Sequence, residues 1–202
     1  RGSGKTQLLR AVTKLSYLGE FTTASSTFAT LRDLADYGAC MAFDDAENMA
    51  EGKDNDSNKR ALLLAGNRRG NTVTLKEPGP DKTWRTRYVN TFCPRLFSAT
   101  RLPDPILASR TIIVPMIRTT DRIRSAVDPF DLGEWPVDRS TLIDDLWALA
   151  LRHLGEMKEY DRKVPELAFL SGRNLEPWRA LLAVSLWLQD KGASGLFDKL
   201  DS

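Results

Sequence analysis

The order of segments predicts an α/β protein: a parallel sheet interleaved with helices and carrying a β-hairpin insertion, followed by a small helical subdomain. Three observations lead there. Helix-periodic segments alternate with short apolar runs bounded by turn signals up to about residue 118. Two alternating segments flank the dense turn Glu77-Pro78-Gly79-Pro80-Asp81. Past Arg118 the strong patterns are helical only.

In chain order, Thr6 to about Tyr17 reads as a helix, with Leu8, Leu9, Val12 and Leu15 at helical spacing, ended by Gly19. Phe21 to Ala24 is β-prone. Ser25 or Ser26 is expected to cap a second helix reaching about Tyr37, with Phe28, Leu31, Leu34 and Ala35 on one side and Gly38 at its end. Ala39 to Phe43 is continuously apolar and stops at Asp44-Asp45, the pattern of a strand buried on both faces. Ala46 to Ser57 reads as a loop or frayed helix, and Asn58 to Gly66 as a helix. Thr72–Leu75 and Trp84–Val89 form the hairpin. Leu96–Thr100 and Thr111–Met116 are two further expected buried strands, joined by a short helix at Pro105 to Ser109. After an irregular link at 128–136, Thr141–Leu154 is a helix with Thr141 and Asp144 as a capping box. Leu175–Leu188 is another, and Trp135, Trp147, Trp178 and Trp187 are expected in the core of this helical part.

Composition narrows the class. A chain of 202 residues, 42% hydrophobic and 28% charged, buries a substantial core. It holds no apolar run of ~18 residues, which argues against a membrane span, and it opens without the apolar stretch of a signal peptide. Cys40 and Cys93, both in apolar surroundings, read as free thiols of a reducing, cytoplasmic compartment. One histidine, His153, argues against a zinc site. The net charge of +2 conceals a basic middle: Lys59 to Arg124 carries 14 Lys/Arg against 4 acids. Such a region suits a polyphosphate partner.

The chemistry is concentrated in Gly2-Ser3-Gly4-Lys5-Thr6-Gln7, which runs straight into a helix. Glycines let backbone N–H groups and a helix N-terminus close on phosphate oxygens, so this reads as the second half of a P-loop. Gly2, Ser3, Gly4, Lys5, Thr6 and Gln7 are the candidate nucleotide-binding residues, with Lys5 directed to the β/γ-phosphates and Thr6 to Mg²⁺. The full pattern has a glycine five residues before Gly4, so the sequence reads as beginning inside its motif. An acid at the end of a buried strand beside a P-loop is where such enzymes hold their metal. Asp44 is therefore the second candidate metal ligand, with Asp45 orienting the attacking water.

On these residues and on AGNRRGNTV (65–73), TFCPRLFSATRLPDPILASRTIIVPM (91–116) and GRNLEPWRALLAV (172–184), the chain resembles the AAA+ ATPases. Within them it is similar to the helicase-like C-terminal domain of phage- and plasmid-type primase–helicases. The resemblance implies a P-loop ATPase core over residues 1–118 and a helical lid over 119–202. It also implies ATP and Mg²⁺ as cofactors and a homo-oligomeric ring, expected as a hexamer, moving on single-stranded DNA with a primase domain or partner nearby. It assigns Thr100, with Ser98 in reserve, as the polar residue that senses the γ-phosphate. Arg110 becomes the finger reaching a neighbouring subunit's nucleotide, and Arg173 the lid cation. Lys76, Lys82, Arg85 and Arg87 on the hairpin become DNA-phosphate contacts, with Trp84 as a stacking surface. The family usually carries glutamate where Asp45 stands, one methylene longer. Rival classes are a P-loop small-molecule kinase, which would need lid arginines acting in cis, and a nucleotide-dependent switch without helicase activity.

Overall fold

The computed structural model describes residues 4–23, 26–47, 57–126 and 138–201. The polypeptide is α/β, built on a small parallel sheet of three strands in the order β1 (Glu20–Thr23), β2 (Met41–Asp44), β5 (Arg95–Phe97). Glu20 pairs with Met41 and Thr23 with Asp44; across the other edge Met41 pairs with Arg95 and Phe43 with Phe97. The central strand is the continuous apolar run, and Met41, Ala42 and Phe43 are fully buried, as its sequence requires. Helix α1 (Lys5–Leu15) precedes β1, and α2 (Phe28–Asp36) connects β1 to β2. The α2 cap is Thr27, whose hydroxyl accepts from the Thr30 N–H at 3.3 Å, and not the expected Ser26; Ser25 lies outside the described residues.

Helix α3 (Ser57–Ala65) and the inner face of the hairpin close one hydrophobic cluster. It holds Leu31, Ala35, Met41, Phe43, Ala46, Leu62, Leu63 and Cys93, with Phe97 and Val73 packed on its rim. The hairpin itself, β3 (Thr72–Pro78) and β4 (Trp84–Asn90), forms where the alternation placed it. It is tied down to α2: Arg87 Nη2 reaches Asp36 at 2.7 Å, and the Asn90 N–H donates to the same carboxylate at 2.9 Å. Those two donors hold the Asp36 carboxyl below its usual range, the Arg87 bond most of all. Cys40 and Cys93 are buried free thiols.

The expected strand at Thr111–Met116 does not form. After helix α4 (Pro105–Ala108) the Thr111 N–H still donates to the Ala108 carbonyl, prolonging the turn, and the residues beyond it pair with no strand among the described residues. Ile113 and Val114 stand exposed. An apolar run supplies side chains to bury, but a ladder also needs a partner edge, and Pro115 has no N–H to give one.

The helical part comprises α5 (Arg122–Ala126), α6 (Arg139–His153), α7 (Met157–Leu167), α8 (Gly172–Leu175), α9 (Arg179–Asp190) and α10 (Leu196–Asp201). Its own cluster consists of Val164, Leu175, Leu182, Ala183, Leu186 and Phe197, separate from the first. Arg179 clamps α9 to α7 through paired bonds to the Asp161 carboxylate at 2.7 and 2.8 Å. The α6 cap is Asp138, which accepts from the Thr141 N–H at 3.0 Å, so the helix starts ahead of the expected capping box. Trp178 and Trp187 pack in this part as expected. Trp147 does not: it is 40% exposed and meets the Tyr17 ring edge-on at 4.9 Å. Trp135 and the link around it lie outside the described residues. No helix among the described residues is long and apolar enough to cross a membrane.

A carboxylate at the α6–α7 junction supplies a pH test. Glu156 lies 2.7 Å from His153 Nδ1 and accepts from Trp187 Nε1 at 2.9 Å, with Lys191 Nζ at 3.3 Å. The His153 contact leads these in holding its carboxyl down, from 4.5 to about 2. A depressed carboxyl stabilises the fold fully above its unfolded value and loses that contribution as pH falls toward the folded one. Thermal melts of wild type and Glu156→Gln should therefore differ at pH 6 and converge between pH 4.5 and 2. A gap that widens on acidification would contradict this.

Candidate functional site

The site lies at the carboxyl end of β2, facing the N-terminus of α1. Gly4 is the residue before the helix and takes φ 79°, a left-handed conformation that glycine adopts without penalty. Gly4 has no side chain to cap the α1 N-terminus, and no cap is supplied among the described residues, so the first-turn N–H groups are left for another acceptor. Lys5, Thr6 and Gln7 form that first turn; Gln7 Oε1 is buried without a hydrogen-bond partner among the described residues.

Thr6 and Asp44, 38 residues apart in sequence, come together here. The Thr6 hydroxyl donates to the Asp44 carboxylate, at 3.1 Å from Oδ1 and 3.0 Å from Oδ2. Ser98, only 3% exposed, donates to Asp44 Oδ1 at 2.5 Å and accepts from the Asp45 N–H at 3.1 Å. The chain just past β5 fixes that serine: its N–H donates to the Phe43 carbonyl and its carbonyl accepts from the Ala46 N–H, both at 2.9 Å. Ser98 is the reserve choice for the residue that senses the γ-phosphate, and its contact here is with Asp44 itself. Thr100 instead donates through both N–H and hydroxyl to Glu47, each at 3.1 Å. Glu47 was not singled out by its sequence. Its carboxyl is held below the usual range by its own backbone N–H first, then by Thr100 and the charge of Lys5. Asp45 is exposed and carries φ 51°, a left-handed backbone of the kind that accompanies functional turns. Gly2 and Ser3 lie outside the described residues.

The oxygen set suits Mg²⁺. A magnesium ion takes one or two protein oxygens and fills its remaining positions with water and substrate phosphate, and Thr6 with Asp44 offers that pair. No group of three or more His, Cys, Asp or Glu among the described residues forms a self-sufficient metal cage.

The remaining candidates lie elsewhere. Arg110 and Arg173 line one cleft, and neither Thr6 nor Asp44 lines it. On the hairpin, Arg85 is paired with Asp81 at 3.2 Å, and Arg87 with Asp36 and Glu77. Lys76 is exposed on β3, opposite Thr86, and Lys82 sits in the connecting turn. Trp84 and Tyr88 share the Lys76 face, 67% and 68% exposed. Tyr88 was missed in the sequence, although its alternation with Trp84 two positions either side of Thr86 carried the signal. The basic middle is also less available than its count suggests, since Arg95 is half-buried with its guanidinium donating to the Leu63 and Thr91 carbonyls. Against known protein families, curated proteins and solved structures, the chain has no match.

Proposed function

We propose that this chain is an ATP-hydrolysing P-loop module of the AAA+ type, working as a ring on single-stranded DNA. The observation that carries the proposal is the meeting of Thr6 with Asp44 beneath an uncapped helix N-terminus. A helix start with free N–H groups favours phosphate, and a hydroxyl–carboxylate pair beside it favours a divalent cation held against that phosphate. Bound Mg²⁺ would neutralise phosphate charge and set the γ-phosphoryl group for attack. Lys5 adds a cation to the same phosphates. Ser98 fixes the Asp44 carboxylate, so the acid needs no reorganisation when the nucleotide arrives. Asp45 orients the attacking water, and Glu47 keeps Thr100 in place beside it.

The DNA part of the proposal draws on the hairpin. Trp84 and Tyr88 flank the row of Lys76 and Thr86, a pattern of aromatic faces around a cation that suits stacked bases with a phosphate between them. Replacing Trp84 and Tyr88 together by Ala should weaken binding of a fluorescent oligothymidylate by about tenfold or more. Arg85→Ala should change it little, its guanidinium being engaged by Asp81. Equal losses from both would contradict the stacking role.

The test of the whole reading is ATP turnover with and without single-stranded DNA. The proposal expects Mg²⁺-dependent hydrolysis that DNA stimulates and whose rate per chain rises with protein concentration, as a ring demands. Turnover independent of concentration and unmoved by DNA would leave at most a solitary nucleotide-hydrolysing module.

A further inference from the structure

The cleft that the nucleotide site leaves unused gathers three arginines. Arg68, Arg110 and Arg173 line a cavity of about 560 Å³ with Asn67, Asn71 and Glu176. Three parts of the chain build it: the turn after α3, the turn after α4, and α8 of the helical part. Asn71 Nδ2 donates to the Ala65 carbonyl at 2.9 Å, holding the first wall in shape.

The arginines differ in what they have left to give. Arg110 is anchored at one end, its Nη1 donating to the Leu64 carbonyl at 2.5 Å, while its Nε is buried with no hydrogen-bond partner among the described residues. A guanidinium fixed but unsatisfied is a donor waiting for an acceptor. Arg173 is exposed and has no hydrogen-bond or ion-pair partner among the described residues. The single acid does not cancel them, because Glu176 is already held by Arg68 and by Asn67 Nδ2 at 3.2 Å. Three cations against one acid leave two positive charges, the complement of a terminal phosphate, which carries between one and a half and two negative charges near neutral pH. Planar guanidinium forks match phosphate oxygens in pairs.

We propose that this cleft is a second anion site, which takes a terminal phosphate group with Arg110 and Arg173 of the same chain acting together. Neither Thr6 nor Asp44 lines this cleft, so the two sites are separate.

Pyrophosphate binding to the full chain, followed by calorimetry, tests it. In Lys5→Ala, which weakens the helix N-terminal site, one binding event per chain should persist. Adding Arg173→Ala should weaken that event by about tenfold or more, and Arg173→Lys should recover part of the loss. Since Arg173 has no hydrogen-bond or ion-pair partner among the described residues, a circular dichroism spectrum unchanged from wild type is expected. Oligonucleotides identify the source of the phosphate. Displacement by a 5′-phosphorylated strand, with a 5′-hydroxyl strand inert, points to a nucleic-acid end; displacement by neither points to a small phosphorylated molecule. Displacement by both strands alike would overturn the preference for a terminal phosphate. Loss of all pyrophosphate binding in Lys5→Ala, or indifference of the residual binding to Arg173→Ala, would overturn the site itself. Failure of ATP turnover with the residual binding intact would instead count against the motor reading alone.

Discussion

Asp44→Asn should cut ATP turnover by about 100-fold or more while leaving the fold intact. The carboxylate stands at the end of the central strand and accepts from both Thr6 and Ser98. Asparagine keeps its shape and one oxygen but removes the charge that would oppose a divalent cation, and removal of one group fixed against developing charge costs about 10²–10³ in rate. The strand ladder uses backbone groups only, so the Thr23–Asp44 pairing survives. Ser98→Ala should cost less, about tenfold, since it loosens the acid without discharging it. Steady-state phosphate release measures both. Turnover of Asp44→Asn within a few-fold of wild type would remove Asp44 from the chemistry.

Phe43→Ala should bring the largest loss of stability, about 3–5 kcal/mol. Phe43 has no exposed surface and lies one residue before Asp44, stacked on Phe97 across the β2–β5 pair with ring centroids 5.3 Å apart. Truncation opens a cavity in the cluster that α2, β2 and α3 share, and neighbours in a parallel ladder have little freedom to close it. At this chain length that loss lowers the melting temperature by about 10 °C. Thermal unfolding followed by circular dichroism reads it directly, and a shift of one or two degrees would mean that the first cluster is not the core it is taken for.

What could be read in the sequence follows from how local each signal is. The buried strand ending at Asp44 and the hairpin around Pro78-Gly79-Pro80 are written in consecutive residues, and both stand where the patterns put them. Thr6 and Asp44 are legible because a strand end and a helix start each announce themselves. That Ser98 bonds Asp44 while Thr100 turns to Glu47 is not legible, because β5 ends at Phe97, short of the strand expected to reach Thr100. Helix α7 escaped notice because MKEYDRKVPEL is mostly charged and contains Pro165; only Tyr160 and Val164 mark its inner face. That Arg110 and Arg173 share a cleft, and that Arg95 turns inward onto the Leu63 and Thr91 carbonyls, depends on contacts between distant segments that no spacing encodes.

The central claim is that the N-terminus of α1 and the end of β2 hold one Mg²⁺-bound triphosphate. Equilibrium binding of a fluorescent ATP analogue, with Mg²⁺ and then with excess chelator, measures this most directly. The account predicts binding that chelation weakens and that Lys5→Ala and Thr6→Val each reduce by about tenfold or more. Binding unaffected by chelator and by both substitutions would contradict it.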